Sequence, residues 1–313
     1  MKKWGWLIAV VSIIFLMTAC NSESSNEKEE SSEGQYKVGM TQLVEHPSLN
    51  AASEGFKKAF EDAGVDVAFV EQNAQNDHSL NATIANNFVS DQVDLIFANS
   101  TPSAQAVANE TTEIPIVFTS VTDAEAAQLV ESHEAPGRNV TGTLDNHPEA
   151  IEKAVTYVVN ELDAKKIGMI FNSGEQNSRA QVDEAKKQAE ALGAEVVEAS
   201  VSASSEVQQA AESLVGKVDA FYIITDNTVV SAMESVISVA NDHKLPLMAG
   251  EVDSVERGAL AAYGFDFYDI GYQAGEMAVD ILVNGKDPAT MPVEAPKKLE
   301  LVVNEETKAL LEE

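Results

Sequence analysis

Hydrophobic and polar positions along the chain follow two alternating periods. Tyr36-Lys37-Val38-Gly39-Met40 is an apolar run of strand length. The next segment, 47–63, sets Leu49, Ala52, Phe56, Ala59 and Phe60 along one helical stripe that Gly64 closes. The alternation repeats, with strands over 65–70, 94–98 and 115–119 and helices over 79–88 and 102–109. After Pro136-Gly137 a strand over 139–144 and a helix over 148–162 restart the pattern. A second series follows, with strands over 166–171, 195–200, 219–225 and 247–249 and helices over 178–192, 206–215 and 228–243. Strands and helices alternating at these lengths predict βαβ units around parallel sheets. The fold class is therefore α/β, two doubly wound parallel-sheet lobes in succession, without an internal sequence repeat.

The tail departs from a simple tandem. It reads as a strand over 260–264, a helix over 268–284 ended by Gly285, a strand over 299–303 and a short last helix. One extra strand and helix followed by one extra strand predict that the chain returns to the first sheet and crosses again to the second. Lobe I is expected over 35–143 plus 258–288 and lobe II over 144–257 plus 289–313, joined by a three-segment hinge.

Ahead of the alternating region, Lys2 and Lys3 precede an apolar run from Trp4 to Leu16, the charged and apolar parts of a secretory signal. The run is short for a membrane span. Met17-Thr18-Ala19-Cys20 resembles a bacterial lipobox, with Met17 where Leu is commoner. That resemblance implies removal of residues 1–19 as a signal peptide and lipidation of Cys20; an ordinary cleaved signal is the alternative. Residues 21–34 contain no aliphatic or aromatic side chain, so residues 20–34 are expected to form a lipidated, flexible tether.

Charge narrows the partners. The 313 residues carry a formal net charge of −31, and removal of the first 19 would take away Lys2 and Lys3 as well. Such a surface repels nucleic acid and anionic lipid, so contact with a membrane is expected through the lipid anchor alone, on the extracellular face. Cys20 is the only cysteine, which leaves no intrachain disulfide, and a 44% hydrophobic content can supply the core instead. A monomer is expected.

Several stretches, in order, resemble one family. They are Val44-Glu45-His46-Pro47-Ser48-Leu49-Asn50, Ile114-Pro115-Ile116-Val117-Phe118, Pro136-Gly137-Arg138-Asn139-Val140-Thr141-Gly142 and Phe171-Asn172-Ser173-Gly174-Glu175-Gln176-Asn177-Ser178. Gly258-Ala259-Leu260-Ala261-Ala262-Tyr263-Gly264 and Gly271-Tyr272-Gln273-Ala274-Gly275 complete the likeness. Together they resemble the substrate-binding lipoproteins of ABC transporters of the tryptophan/tyrosine-binding type, with Asn50 where that family usually shows Asp. The resemblance implies a type I periplasmic-binding-protein fold whose lobes close on a small amino-acid-like ligand and pass it to an ABC permease, with no cofactor and no metal.

Ligands of open parallel sheets bind beyond the carboxyl ends of the strands. The loops at 42–46, 99–103, 119–123, 172–178, 226–228 and 251–253 are therefore the candidate site. The ligand-binding residues drawn from them are Gln42, Glu45, His46, Ser100, Thr101, Thr119, Ser173, Asn177, Ser178, Asp226, Asn227 and Glu251, with Tyr263 as an aromatic wall. Phe171 and Leu43 are further wall candidates. The Ser- and Asn-rich loops at 99–103 and 172–178 lead into helices whose free N–H groups suit a carboxylate; plain N-capping is the alternative. Asp226 and Glu251 are the acceptors offered to an α-ammonium, with helix capping again the alternative for Asp226. Burying an aromatic side chain contributes roughly 4 to 6 kcal/mol and charge-assisted hydrogen bonds roughly 1.5 to 3 each, enough after association costs for about micromolar binding.

An exported enzyme is the rival class, and no catalytic residue is assigned. The sequence has no Gly-x-Ser-x-Gly elbow and no His-Glu-x-x-His, and His46, His78, His133, His147 and His243 include no i, i+4 pair. A surface receptor or adhesin of the same fold, without transport, is the other alternative.

Overall fold

The structure is a computed structural model that describes residues 35–312. The signal peptide, Cys20 and the tether lie outside the described residues. Among the described residues no helix is long and apolar enough to cross a membrane.

The first sheet is built from β1 (Tyr36–Gln42), β2 (Val67–Asn73), β3 (Leu95–Asn99), β4 (Ile116–Val121) and β5 (Val140–Leu144), in the order β2-β1-β3-β4-β5. All its pairings are parallel. β3, β4 and β5 are buried at every position, as strands covered on both faces must be. Two cores form because side chains alternate: Ile96, Phe118 and Val140 pack under α2 (His78–Ser90) and α3 (Thr101–Glu110). Val38, Leu95, Phe97 and Val117 pack on the other face, against α1 (Pro47–Ala63) and α10 (Phe267–Asn284). Phe56 of α1 stacks on Phe97 with ring centroids 3.9 Å apart.

The second sheet has the order β11-β10-β9-β8-β6-β7, from β6 (Lys166–Asn172), β7 (Glu195–Val201), β8 (Ala220–Ile223), β9 (Leu247–Ala249), β10 (Ala261–Gly264) and β11 (Glu300–Val303). Only β11 runs antiparallel. It is flanked by α4 (Ala150–Asn160), α5 (Gln176–Ala191), α6 (Val207–Leu214), α8 (Met233–Asp242) and, at the strand ends, the short α7 (Asn227–Val230) and α9 (Asp253–Arg257). A last helix, α11, spans Glu305–Glu312.

Three expectations need correction. β10 was assigned with the first lobe, yet it pairs with β9 in the second sheet, so that crossing falls near residues 265–266 instead of 258. Residues 289–294, assigned to the second lobe, lie along β5: Thr141 Oγ1 donates to Met291 O at 2.8 Å and Leu144 N to Glu294 O at 2.8 Å. The reason is apolar alternation, since Met291 and Val293 both bury into first-lobe cores. The helix expected over 228–243 is likewise two, α7 and α8. Ser231 Oγ donates to Thr228 O at 2.8 Å, and Ala232 leaves helical geometry at φ −121°, ψ 26°.

Close contact between α1 and α10 explains the glycines of the 271–275 stretch. A Cβ on Gly271 would lie 1.9 Å from Ala52 O, and one on Gly55 would lie 2.2 Å from Tyr268 O. The two helices therefore touch backbone to backbone, which fastens α10 to the first lobe directly after the chain has left the second sheet.

Candidate functional site

The carboxyl ends of both sheets face each other, and the loops there are unusually rich in buried polar groups. In the first lobe, Ser100 links β3 to α3 with φ 103°, a conformation costly for a residue with a Cβ. Its side chain caps Ser103 N at 3.4 Å, and Ser103 Oγ donates to Asn81 Oδ1 at 3.4 Å. Ser120, at the register break between Phe118 and Val121, also has positive φ, 55°. Thr101 Oγ1 and Ser120 Oγ are buried without a partner. Strain and unspent hydroxyls at strand ends are what a binding loop carries and a purely structural turn avoids.

In the second lobe a carboxylate organises the loops. Glu175, 1% exposed, accepts from Thr228 N and Oγ1 at 3.1 and 2.8 Å and from Asn227 N and Nδ2 at 3.3 and 2.6 Å. Asp226 accepts from Asn172 N at 2.6 Å, Ser178 Oγ at 2.7 Å and, as the N-cap of α7, Val229 N at 2.8 Å. Burial first, and the Glu175 carboxylate second, push Asp226 up to about 7. These two acids tie the start of α5 to the start of α7.

Three side-chain pairs are hydrogen-bonded across the lobes. Ser48 Oγ donates to Glu251 Oε2 at 3.2 Å, Asn76 Nδ2 to Thr228 Oγ1 at 3.1 Å, and Gln181 Nε2 to Thr122 Oγ1 at 3.2 Å. The lobes are therefore closed on each other. Between them lies a small space lined by His46, Leu49, Asp145, Thr225, Asn227, Val230, Glu251 and Phe267. Its volume is about 10 Å³. A more spacious groove, about 620 Å³, runs along α1 and α10 past Asp62, Tyr272 and Glu276. It lies on the flank of the first lobe, away from the strand ends, so the interlobe space is the candidate site.

His46 caps α1, its Nδ1 accepting Leu49 N–H at 3.4 Å, which leaves the proton on Nε2. Burial, and then the nearby positive charge of Arg257, push it down to about 3, so the ring is neutral. Asp145 follows β5, accepts from Thr122 Oγ1 at 3.0 Å, and is pushed up to about 6 by loss of water. Glu251 is raised by burial, while Ser254 donates to it from N at 2.8 Å and from Oγ.

Of the residues selected from sequence, His46, Asn227 and Glu251 line this space. Ser100, Thr101, Asn177, Ser178 and Asp226 are buried at the surrounding strand ends. The Asp226 oxygens are taken by protein donors, which fits the capping alternative. The other five lie elsewhere. Gln42 and exposed Glu45 line a separate surface groove with Asn50, Lys57 and Glu71. Thr119 Oγ1 is bonded to Thr143 Oγ1 at 2.8 Å, beneath α10. Ser173 is exposed. Tyr263 packs edge-on against Tyr157 at 6.4 Å in the second-lobe core. Phe171 and Leu43 are core side chains, the former covered by the Arg179 guanidinium at 4.9 Å.

Sequence reasoning missed Asp145, Thr225, Leu49, Val230 and Phe267 as lining residues. The strand-end rule would have reached Asp145 had it been applied to β5, whose chain continues into the hinge. Glu175 lay inside a selected loop, passed over for its amide and hydroxyl neighbours. Among the described residues no group of three His, Cys, Asp or Glu is placed to hold a metal ion.

Comparison with known proteins places this geometry. The family model described as ABC transporter substrate binding protein matches residues 37–312. A protein of Clostridioides difficile (strain R20291) named tyrosine-binding protein is 46% identical over 316 residues, covering 98% of this chain and 91% of that one. A solved Streptococcus pneumonia ABC domain in complex with L-Trp is 32% identical with a TM-score of 0.85, covering 89% of this chain and 95% of its own. The ligand-free, open structure of a Clostridium difficile substrate binding protein with adhesive properties is 44% identical but has a TM-score of only 0.66, with coverages of 88% and 95%. A better fit to the ligand-bound chain at lower identity is what closed lobes give. The chain belongs to the family of ABC transporter substrate binding proteins.

Proposed function

We propose that the chain is an extracytoplasmic lipoprotein, held by a lipid on Cys20, that closes its lobes on an aromatic amino acid and presents it to an ABC permease. The observation that carries the reading is the interlobe space. Its wall combines apolar Leu49, Val230 and Phe267 with the carboxylates of Asp145 and Glu251 and a neutral His46, a lining suited to an apolar body bearing an ammonium group. The name of the 46% identical relative and the tryptophan in the pneumococcal neighbour support the ligand class. Calorimetric titration of the full chain in detergent with L-tyrosine, L-tryptophan, L-phenylalanine and L-leucine tests the reading. Micromolar binding of an aromatic member is expected; no heat and no thermal shift with any of those three would remove the ligand class. Cys20→Ser should release the protein from the membrane fraction into the medium.

A second reading, a surface adhesin, is favoured by the adhesive properties ascribed to the open neighbour. Uptake of labelled ligand by a deletion strain separates the two, since loss of adhesion with unchanged uptake would point to the surface role.

A further inference from the structure

We infer that Asn76 is a closure latch: held out on a strained turn of the first lobe, its amide completes a buried hydroxyl of the second lobe when the lobes shut, and so sets the affinity for any cleft ligand without touching it. The latch presupposes the proposed capture of a solute by lobe closure and names a residue that tunes it.

The turn lies between β2 and α2. Gln75 and Asn76 are both left-handed, with φ 52° and 61°, and neither is glycine. Two such residues in succession persist only where their surroundings hold them. Here Ala74 is fully buried and its N–H donates to Gln42 O at 3.0 Å, while Asn76 N donates to Leu43 O at 2.8 Å and Asp77 N to Ala74 O at 2.8 Å. Gln75 N donates to Asn73 Oδ1 at 2.6 Å. Every one of these partners belongs to the first lobe, so the turn keeps its shape wherever the second lobe stands.

Its target is Thr228 Oγ1, on a residue with no exposed surface. A hydroxyl has one hydrogen and two lone pairs. The hydrogen goes to the Glu175 carboxylate at 2.8 Å, and Asn172 Nδ2 fills one lone pair at 2.9 Å, both from the second lobe. Asn76 Nδ2 fills the other at 3.1 Å from the first lobe. Asn76 Oδ1 is 3.3 Å from the same hydroxyl, whose hydrogen the nearer, charged acceptor holds. The second lobe thus presents a finished socket that lacks one donor, and closure brings it.

This pair stands apart from the cleft wall, which the other two do not. Ser48 bonds Glu251, a lining residue, and Thr122, the partner of Gln181, also donates to the lining Asp145. Neither Asn76 nor Thr228 lines the interlobe space.

Asn76→Gly tests the latch, because glycine takes the left-handed turn without steric cost and removes only the amide. Calorimetry of the full chain in detergent with L-tyrosine, L-phenylalanine and L-leucine should show every ligand that binds the wild type weakened by one common factor, about fivefold, at unchanged stoichiometry. Stopped-flow should place the change in the off-rate. Asn76→Asp, near-isosteric and also at ease in the left-handed region, replaces the donor by a carboxylate that shares its hydroxyl with Glu175, and should weaken binding further. Unchanged affinity in Asn76→Gly refutes the latch, and so does a factor that differs from ligand to ligand, which would make Asn76 a ligand contact. Binding of leucine alone would remove the aromatic reading while the common-factor test of the two variants stands on leucine against its analogues. Should none of the three bind, the side-chain NH2 signal of Asn76, identified in NMR by its loss in Asn76→Gly, should shift on Thr228→Val; a signal that stays in place refutes the contact.

Discussion

Glu175→Gln is the most informative single change in the second lobe, because its effect should depend on pH in a direction the structure dictates. The side chain is 1% exposed and its two oxygens accept four hydrogen bonds from Asn227 and Thr228. Glutamine keeps one acceptor and turns an NH2 group toward the two donors that met the other. Two charge-assisted bonds at roughly 1.5 to 3 kcal/mol each put the loss near 3 to 6 kcal/mol. Opposing this, the substitution removes the negative charge that helps hold Asp226 up at about 7. A carboxyl raised from 3.8 contributes stability that is whole below that value and is lost as pH rises through about 7. Lowering its folded-state value shrinks that loss, returning about 1.4 kcal/mol at alkaline pH for each unit by which the value falls. The variant's deficit should therefore be larger at pH 5 than at pH 8. Urea unfolding followed by circular dichroism at both values measures it, with a fall in Tm at pH 5 of roughly 6 to 12 °C as a cross-check. A deficit equal at the two pH values, or larger at pH 8, would refute the coupling of the two acids. No deficit at either would refute the four bonds.

Two other changes probe the hinge and the scaffold. Ser48→Ala removes the interlobe bond to Glu251; a loss of about 1 kcal/mol should weaken the proposed ligand roughly fivefold in calorimetry, and unchanged affinity would mean that this bond does not help to hold the lobes together. Gly271→Ala drives a Cβ into Ala52 O, a backbone atom that cannot swing aside, so unfolding should begin at least about 6 °C lower. Gly64→Ala, with φ 65° and open space around it, should cost only about 1 kcal/mol, and equal losses at the two glycines would mean that α1 and α10 do not touch as described.

The two sheets were legible because strand and helix each leave a period that needs no tertiary information. The apolar runs of β3 and β4 and the α1 stripe of Leu49, Ala52, Phe56 and Phe60 all fall where the pattern set them. Sheet membership was not legible at β10: Ala261 and Ala262 are small enough to bury in either lobe, and nothing local states which partner strand waits. The site was legible as a set of loops and not as a set of side chains. Strand ends fix where a loop lies, whereas the inward turn of Glu175 and the outward exposure of Ser173 depend on donors 50 or more residues away, Asn227 and Thr228. The same blindness hid Phe267, which reaches the cleft from a helix that otherwise belongs to the flank of the first lobe.

The buried acids of lobe II differ in where their donors come from. Asp226 and Glu175 are satisfied by lobe II donors alone. Glu251 takes Ser254 N and Oγ from its own lobe, but a third donor, Ser48 Oγ, reaches it from the first lobe. Three bonded pairs span the lobes, Ser48 with Glu251, Asn76 with Thr228 and Gln181 with Thr122, each contributing about 1 kcal/mol. A bound molecule shifts an equilibrium by its differential affinity for the two states and by nothing else. The proposed solute, touching Leu49 and Phe267 from the first lobe and Val230 from the second, has that differential built in, since only the shut form offers both walls to it.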